Sequence, residues 1–445
     1  MTAGEVDAAI ERIRQRDADL ARLTRAAADG LTAGEGTAGL YQAGVQEFLW
    51  AHVPTSFPSD DWHDIAAGAA MLFDELGLDR YAAIARSDQT TAVLEAWRDG
   101  PSSGRRAFQS AHRSSGVEPP DTDILAWGDV FGRDEARARD AVERALEDAI
   151  VAGDLVPGGR RWKDTAAAIT EQILSERLDL PPGQTLLSLL TTERAETWIR
   201  TARAPQLRDW RERAVRRILG PIDPPAEVDE VVAPMRWLLQ QAGAGIELTQ
   251  SGYIAPVLVV EAAERFGWWD WDKPPRSEAD VHQLAELRDV ASHLRLVRRK
   301  GRTLTATANG RRLVDDPVSL WRALAGSLGG SHAFDRTMGE LVGLRLLAGP
   351  AIDGALLEAI EPVVTAMGWR TADGALTRSQ ITSATWDRWR WWRVLGLLHR
   401  ETAHWDREAQ RRIGHDTTTL TPAGEVTVLA YLRGLAQAPR DDPYA

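Results

Sequence analysis

The chain has 445 residues, beyond the roughly 250–300 at which one hydrophobic core stops growing, and its 44% hydrophobic content can fill several domains. A net charge of −12 argues against wholesale non-specific binding of the whole molecule to nucleic acid or an acidic membrane, although a local patch can reverse the sign. The absence of cysteine excludes disulfides, thiolate metal sites and thiol nucleophiles, and fits a reducing interior.

No run of about 18 apolar residues and no charged-then-apolar start with a cleavage site is present, so neither a membrane span nor a leader is expected and the cytoplasm is the default compartment. In most segments apolar residues recur three and four apart, which predicts a mainly α, multi-helical protein. Residues 1–30 read as one charged helix ending near Gly30, and Ile65, Ala69, Leu72, Phe73 and Leu76 form an apolar stripe closed by Gly77. In PSDDWHD (58–64), Asp60, His63 and Asp64 resemble half of an oxygen-and-imidazole metal site. Ser59 as an N-cap, with acids in the first turn, accounts for them more simply, so no metal is expected. From Glu193 to Arg217, eight arginines face four acids; Pro205 splits the stretch into two helices whose alternating signs predict an exposed, ion-paired surface.

Near the C-terminus one short phrase occurs twice: an apolar helix, a basic or histidine-bearing step, then a threonine-rich stretch ending in Gly. The first copy runs from Leu284 through LRLVRRKGRTLTATANGRRL to Leu313, the second from Trp386 through VLGLLHRE to TTTLTPAGEV at Val426. That is the layout of a winged helix, in which the Leu-Thr strand returns from a hairpin and Thr caps the next helix. It requires Leu296 and Leu398 to be buried between a helix and a two-stranded ribbon. A third Leu-Thr phrase, ELTQSGY (247–253), lacks the apolar stretch before it. With the Gly and Pro clusters at 99–104, 116–122, 220–226, 272–276 and 326–332, the expected blocks are helical at 1–120 and 121–222 and winged-helix-like at 223–330 and 331–438, with a disordered tail at 439–445.

The stretch from Trp237 to Ala325 resembles a module of uncharacterised actinobacterial proteins, in which an LTxxGY element, an acidic-aromatic turn, a helix, a basic hairpin and DDPxxLW follow in that order. FLWAHVP (48–54) and SGVEPPDTDILAWG (115–128) are similar to other proteins of such genomes. The resemblance implies the order of elements and brings no activity or catalytic residue with it.

Two candidate surfaces stand out. Between Glu286 and Asp316, eight cations (Arg288, Arg295, Arg298, Arg299, Lys300, Arg302, Arg311, Arg312) face four acids (Glu286, Asp289, Asp315, Asp316), a local +4 in an acidic chain. All but Arg288 are taken as candidate nucleic-acid contacts: guanidiniums on a wing reach phosphates while the helix before it lies in a major groove. The competing reading is a solvated hairpin whose arginines pair with neighbouring acids. In WDRWRWWR (386–393), Trp386, Trp389 and Arg393 share a helical face, and with Arg390 they form a weaker candidate for stacking on bases or seating a peptide; a tryptophan core stripe covered by arginine stems is the simpler account.

No phosphate-binding GxxxxGK[ST], dinucleotide GxGxxG, HExxH or GxSxG is present, so no catalytic residue or cofactor is assigned. The leading expectation is a non-catalytic cytoplasmic protein touching nucleic acid through the Arg298–Arg302 hairpin. The rival is a protein–protein scaffold or adaptor, and an enzyme assembled from distant helices is a remote third. No membrane partner is expected.

Overall fold

The computed structural model describes residues 2–32, 36–37, 39–179, 183–372, 374–402, 404–406, 411–413 and 416–440. The chain is mainly helical and divides into two compact units, Met1–Glu193 with Pro439–Ala445, and Arg194–Ala438.

The first unit contains α1 (Ala3–Arg14), α2 (Ala18–Thr32), α3 (Gln42–Glu47), α4 (Val53–Ser56), α5 (Trp62–Glu75), α6 (Asp79–Ala85), α7 (Asp88–Arg98), α8 (Pro101–Ser115), α9 (Arg133–Ala152) and α10 (Trp162–Ser175). The opening is two helices, not the single one its charge pattern predicts. Residues 15–17 turn the chain, and the Asp17 carboxylate accepts the Leu20 N–H at 2.9 Å to start α2, while Gly30 lies within α2 against the Phe48 ring. The stripe at 65–76 does form one helix, α5, closed by Gly77 with φ 67°. Between α3 and α4, Phe48–His52 form a π turn whose Trp50 carbonyl accepts the Trp97 indole N–H at 2.8 Å. Pro439 and Arg440, at the start of the expected tail, run beside residues 128–130: the Arg440 carbonyl accepts the Asp129 and Val130 N–H groups at 2.8 and 3.0 Å. The rest of that tail, 441–445, lies outside the described residues.

Helix α11 (Leu186–Arg200) is followed in the second unit by α12 (Pro205–Leu219), and the break falls at Pro205, where a proline at the first helical position costs no hydrogen bond. Two copies of one topology come next. The first is α13 (Val228–Ala244), β1 (Ile246–Glu247), α14 (Pro256–Phe266), α15 (His282–His293), β2 (Val297–Lys300) and β3 (Thr303–Ala306), trailed by α16 (Ala308–Val314) and α17 (Pro317–Gly326). The second is α18 (Ala333–Leu347), β4 (Ala351–Ile352), α19 (Asp353–Ala366), a small hairpin of β5 (Arg370–Thr371) and β6 (Gly374–Ala375), α20 (Arg378–Val394), β7 (Leu398–Glu401), the ribbon β8 (His404–Asp406) and β9 (Arg411–Ile413), β10 (Thr417–Leu420) and α21 (Pro422–Ala436). The strand orders β1-β3-β2 and β4-β10-β7, antiparallel throughout, are the three-stranded winged-helix sheet written twice.

The repeat extends to single atoms. At the foot of each wing a buried leucine, Leu296 or Leu397, takes the N–H of a later threonine on its carbonyl, Thr307 or Thr421, at 2.9 Å in both cases. Each threonine then caps the next helix by accepting the N–H of Gly310 or Gly424 at 3.0 Å. The counterpart of Leu296 is therefore Leu397 and not Leu398, which is only half-buried; the double leucine leaves a one-residue ambiguity that the left-handed Gly396 resolves. The ELTQSGY phrase is no return arm. Leu248 prolongs β1, and the Thr249 hydroxyl accepts the Tyr253 N–H at 3.0 Å in a turn.

One apolar core runs through both winged units, each fully buried leucine in it contributing roughly 2 kcal/mol. Tryptophans tie its layers together through their indole N–H groups: Trp237 to Glu261 (2.7 Å), Trp321 to Thr427 (2.9 Å) and Trp392 to the Leu328 carbonyl (3.1 Å). At its edge Arg211 of α12, over the Trp198 ring, grips Glu340 of α18 through two hydrogen bonds.

Candidate functional site

The wing of the first winged copy is built by register. Val297 faces Ala306 and Arg299 faces Leu304 on the core side, so Arg298 and Lys300, opposite Thr305 and Thr303, stand on the outer side. Two residues make the turn, and Gly301 takes the first position with φ 61°, a conformation that suits glycine. Arg295, Arg298, Arg299, Lys300, Arg302, Arg311 and Arg312 are all exposed.

Among the described residues none of these seven pairs with a carboxylate. Arg302 ties the wing to β1 by donating Nε and Nη2 to the Leu248 carbonyl at 3.2 and 3.1 Å, and Arg299 Nε donates to the Gly301 carbonyl at 2.9 Å. Arg311 donates to the Ala306 carbonyl at 2.7 Å and Arg312 to Asn309 Oδ1 at 3.0 Å. Neutral partners fix these side chains, and the charge of Arg312 is felt by Asp316 without a direct ion pair. The nearby acids have other duties. Asp316 caps α17 by accepting the Ser319 N–H at 3.0 Å, and Glu286 reaches Arg390 at 3.1 Å. Arg288, the remaining cation of the sequence pattern, turns inward: its Nη1 donates to Glu278 at 2.8 Å and to the Gly252 carbonyl at 3.0 Å, locking the β1–α14 loop to α15. Glu278 is fully buried, and burial raises its pKa despite the Ile254 N–H and Arg288.

Arg295 has φ 53°, in the left-handed region where the second winged copy places Gly396 with φ 66°. The Thr307 hydroxyl donates to the Arg295 carbonyl at 2.8 Å and the Thr421 hydroxyl to the Gly396 carbonyl at 3.1 Å, so the two positions are equivalent. A non-glycine held there stores backbone strain.

The helix before each wing meets the other. Helix α15 packs on α20, Arg390 joining Glu286, and burial together with Arg390 and Arg393 lowers the pKa of His282. Burial likewise raises the pKa of Glu286, ahead of the opposing pull of Arg390. Along α15, Glu286 and Asp289 are acidic and the one Arg is spent on Glu278. A cleft of about 350 Å³ between α15 and α20 is lined by Asp289, His293, Asp335, Arg388 and Trp391. No sequence pattern announced this helix pairing.

The remaining candidates are placed as follows. Trp389, Trp391 and Trp392 are buried, Trp386 is half-buried with its ring 5.3 Å from Trp389, Arg390 is exposed and bonded to Glu286 and Asp387, and Arg393 is exposed. Ser59 is no cap: it opens the 3-10 turn Ser59–Asp61 ahead of α5, and His63 Nε2 lies 2.7 Å from Glu95 instead of beside the two aspartates. Among the described residues no group of three or more His, Asp or Glu could hold a metal ion. The Arg-rich stretch departs from an ion-paired surface. Arg211 and Arg217 bridge to Glu340 and Glu425, both far away in sequence, and Arg194 is buried with Nη1 on the Gln437 carbonyl at 2.8 Å.

In the first unit, α9 turns Glu135, Glu143 and Glu147 inward, four and eight residues apart. Glu147 accepts the Gln42 N–H at 2.6 Å, and burial holds Glu143 up to about 7 even with Arg139 at 2.8 Å. Glu147 thereby fastens α3 to α9, while Glu143 pairs within α9 and Glu135 with Arg440.

No described helix is long and apolar enough to cross a membrane. No curated protein and no solved structure matches the chain. Residues 230–319, the first winged unit from α13 into α17, match the family described as Y4jL N-terminal domain.

Proposed function

We propose that the chain is a non-catalytic binding protein whose first winged unit holds the phosphate backbone of nucleic acid with its wing. The observation that carries this reading is the set of seven exposed wing and wing-foot cations with no ion-paired carboxylate among the described residues, one of them a strained Arg295 where the second winged copy uses glycine. Charge distribution supports it: the Arg194–Ala438 unit has 33 basic and 30 acidic residues, a net +3, while the remainder carries −15 of the total −12. Because α15 is acidic and faces α20, the contact is assigned to the wing and not to a helix in the major groove, so recognition is of phosphate and carries little base preference. Kinship of residues 237–325 with uncharacterised actinobacterial proteins belongs to the same proposal.

Fluorescence anisotropy with two unrelated DNA duplexes across a salt series tests it. Binding of the two should agree within about threefold, with a log–log salt slope of about −0.9 per phosphate neutralised. Changing Arg298, Arg299 and Lys300 together to Ala should flatten that slope by roughly two to three. Unchanged slope and affinity in the triple variant would remove the wing from the interface. The second reading, an adaptor whose winged units bind proteins, is favoured by the α15–α20 packing, in which one winged helix already serves as the other's partner.

A further inference from the structure

We propose a second binding site, in the groove between α12, α18 and α19, for a small amphipathic anion: a carboxylate or phosphate ester on an aromatic or short aliphatic body. The groove has a volume of about 490 Å³, inside the roughly 300–1,000 Å³ common for small-molecule sites. Trp210, Leu344 and Leu347 supply its apolar surface, and Arg213, Arg217 and Arg345 stand around it. No carboxylate lines it among the described residues.

Trp210, Arg213 and Arg217 lie three and four residues apart, so α12 delivers an indole and two guanidiniums on one face, and the end of α18 brings the third guanidinium to them. Arg213 and Arg345 make no hydrogen bond or ion pair among the described residues, although Arg345 is half-buried. Arg217 gives Nη1 to the Leu347 carbonyl at 3.3 Å and Nη2 to Glu425, which leaves two guanidiniums uncompensated. The two uncompensated guanidiniums beside an apolar floor repel one another, and an anion between them turns that repulsion into attraction. Guanidinium forks match carboxylate and phosphate oxygens two at a time, and the apolar floor takes the body of the ligand. This site is independent of the wing and accounts for arginines that the wing does not use.

Titration calorimetry of the full chain with 2-naphthoate, 2-naphthyl phosphate and the neutral 2-naphthalenemethanol tests it. One molecule of at least one acid should bind per chain, and the neutral alcohol about tenfold or more weaker, as expected when a charge-assisted hydrogen bond is lost. Changing Arg213 and Arg345 together to Gln should cost at least about tenfold, while Arg208→Gln with Arg216→Gln, exposed arginines of the same helix outside the groove, should cost nothing. Ala348→Trp should abolish binding by filling the groove without touching a charge, with unchanged circular dichroism showing that the fold survives. Equal binding of alcohol and acids, undiminished binding in the Arg213/Arg345 variant, or binding of neither acid overturns the proposal.

Discussion

Leu296 and Gly310 touch: the α-carbon of Gly310 lies so close to the Leu296 carbonyl oxygen that a β-carbon there would fall well inside van der Waals contact. Gly424 stands in the same relation to Leu397 in the second winged copy. The obstacle is backbone, with no flexible side-chain end to swing away. Gly310→Ala and Gly424→Ala should each destabilise the second unit by about 3 kcal/mol, whereas Thr307→Ala should cost only about 1 kcal/mol as a lost cap. Urea melts of the three variants check the order. A Gly310→Ala no worse than Thr307→Ala would mean that strand and helix can part without penalty.

Arg295 and Gly396 share one backbone conformation and differ in side chain. Arg295→Gly should therefore leave the protein as stable or raise stability by about 0.5 kcal/mol, strain relief outweighing the greater freedom of glycine in the unfolded chain. The reciprocal Gly396→Ala should lose about 1 kcal/mol. If Arg295 is kept for phosphate contact, the glycine variant also loses about 0.9 of salt slope. Loss of stability in Arg295→Gly would show that the arginine stem packs to the benefit of the fold.

The bidentate pair of Arg211 with Glu340, bonded at 2.6 and 3.0 Å, is nearly excluded from solvent. Removing one partner strands the other charge, so Glu340→Ala should cost roughly 3–5 kcal/mol, while Arg211→Met with Glu340→Leu should stay within about 1 kcal/mol of the parent. Guanidine denaturation of both variants measures this. Equal losses would assign the energy to shape and not to charge.

Burial, and then the charge of Arg139, push His112 down to about 4. The unfolded chain takes up a proton near pH 6.5 that the folded imidazole refuses, so this contribution is present above 6.5 and lost as pH falls toward 4, by at most about 3 kcal/mol. Glu143, held up to about 7, gives the opposite slope between 4.5 and 7, which cancels when His112→Asn is compared with the parent. Between pH 7 and 4.5 the parent should lose more stability than the variant. Parallel curves would place His112 in contact with water.

The winged repeat was legible because its signals are local: a Leu-Thr strand, a threonine three residues before a glycine, and a glycine where the turn needs positive φ. Local signals also erred locally. The double leucine at 397–398 hid the register, and Asp17 divided a stretch whose charge pattern reads as one helix. The wing cations were readable as a cluster, but whether neighbouring acids neutralised them was not, because Glu286 is drawn to Arg390, 104 residues away.

By itself the sequence determined the mainly helical class and the two winged repeats with their threonine caps, since periodicity, caps and turns depend on neighbours along the chain. Only the tertiary structure decided that α15 faces α20, that Arg211 is buried while Arg213 is bare, and that three arginines of two helices meet around one groove. Those outcomes depend on how apolar faces of many elements fit together in space, and no short stretch of residues carries that information.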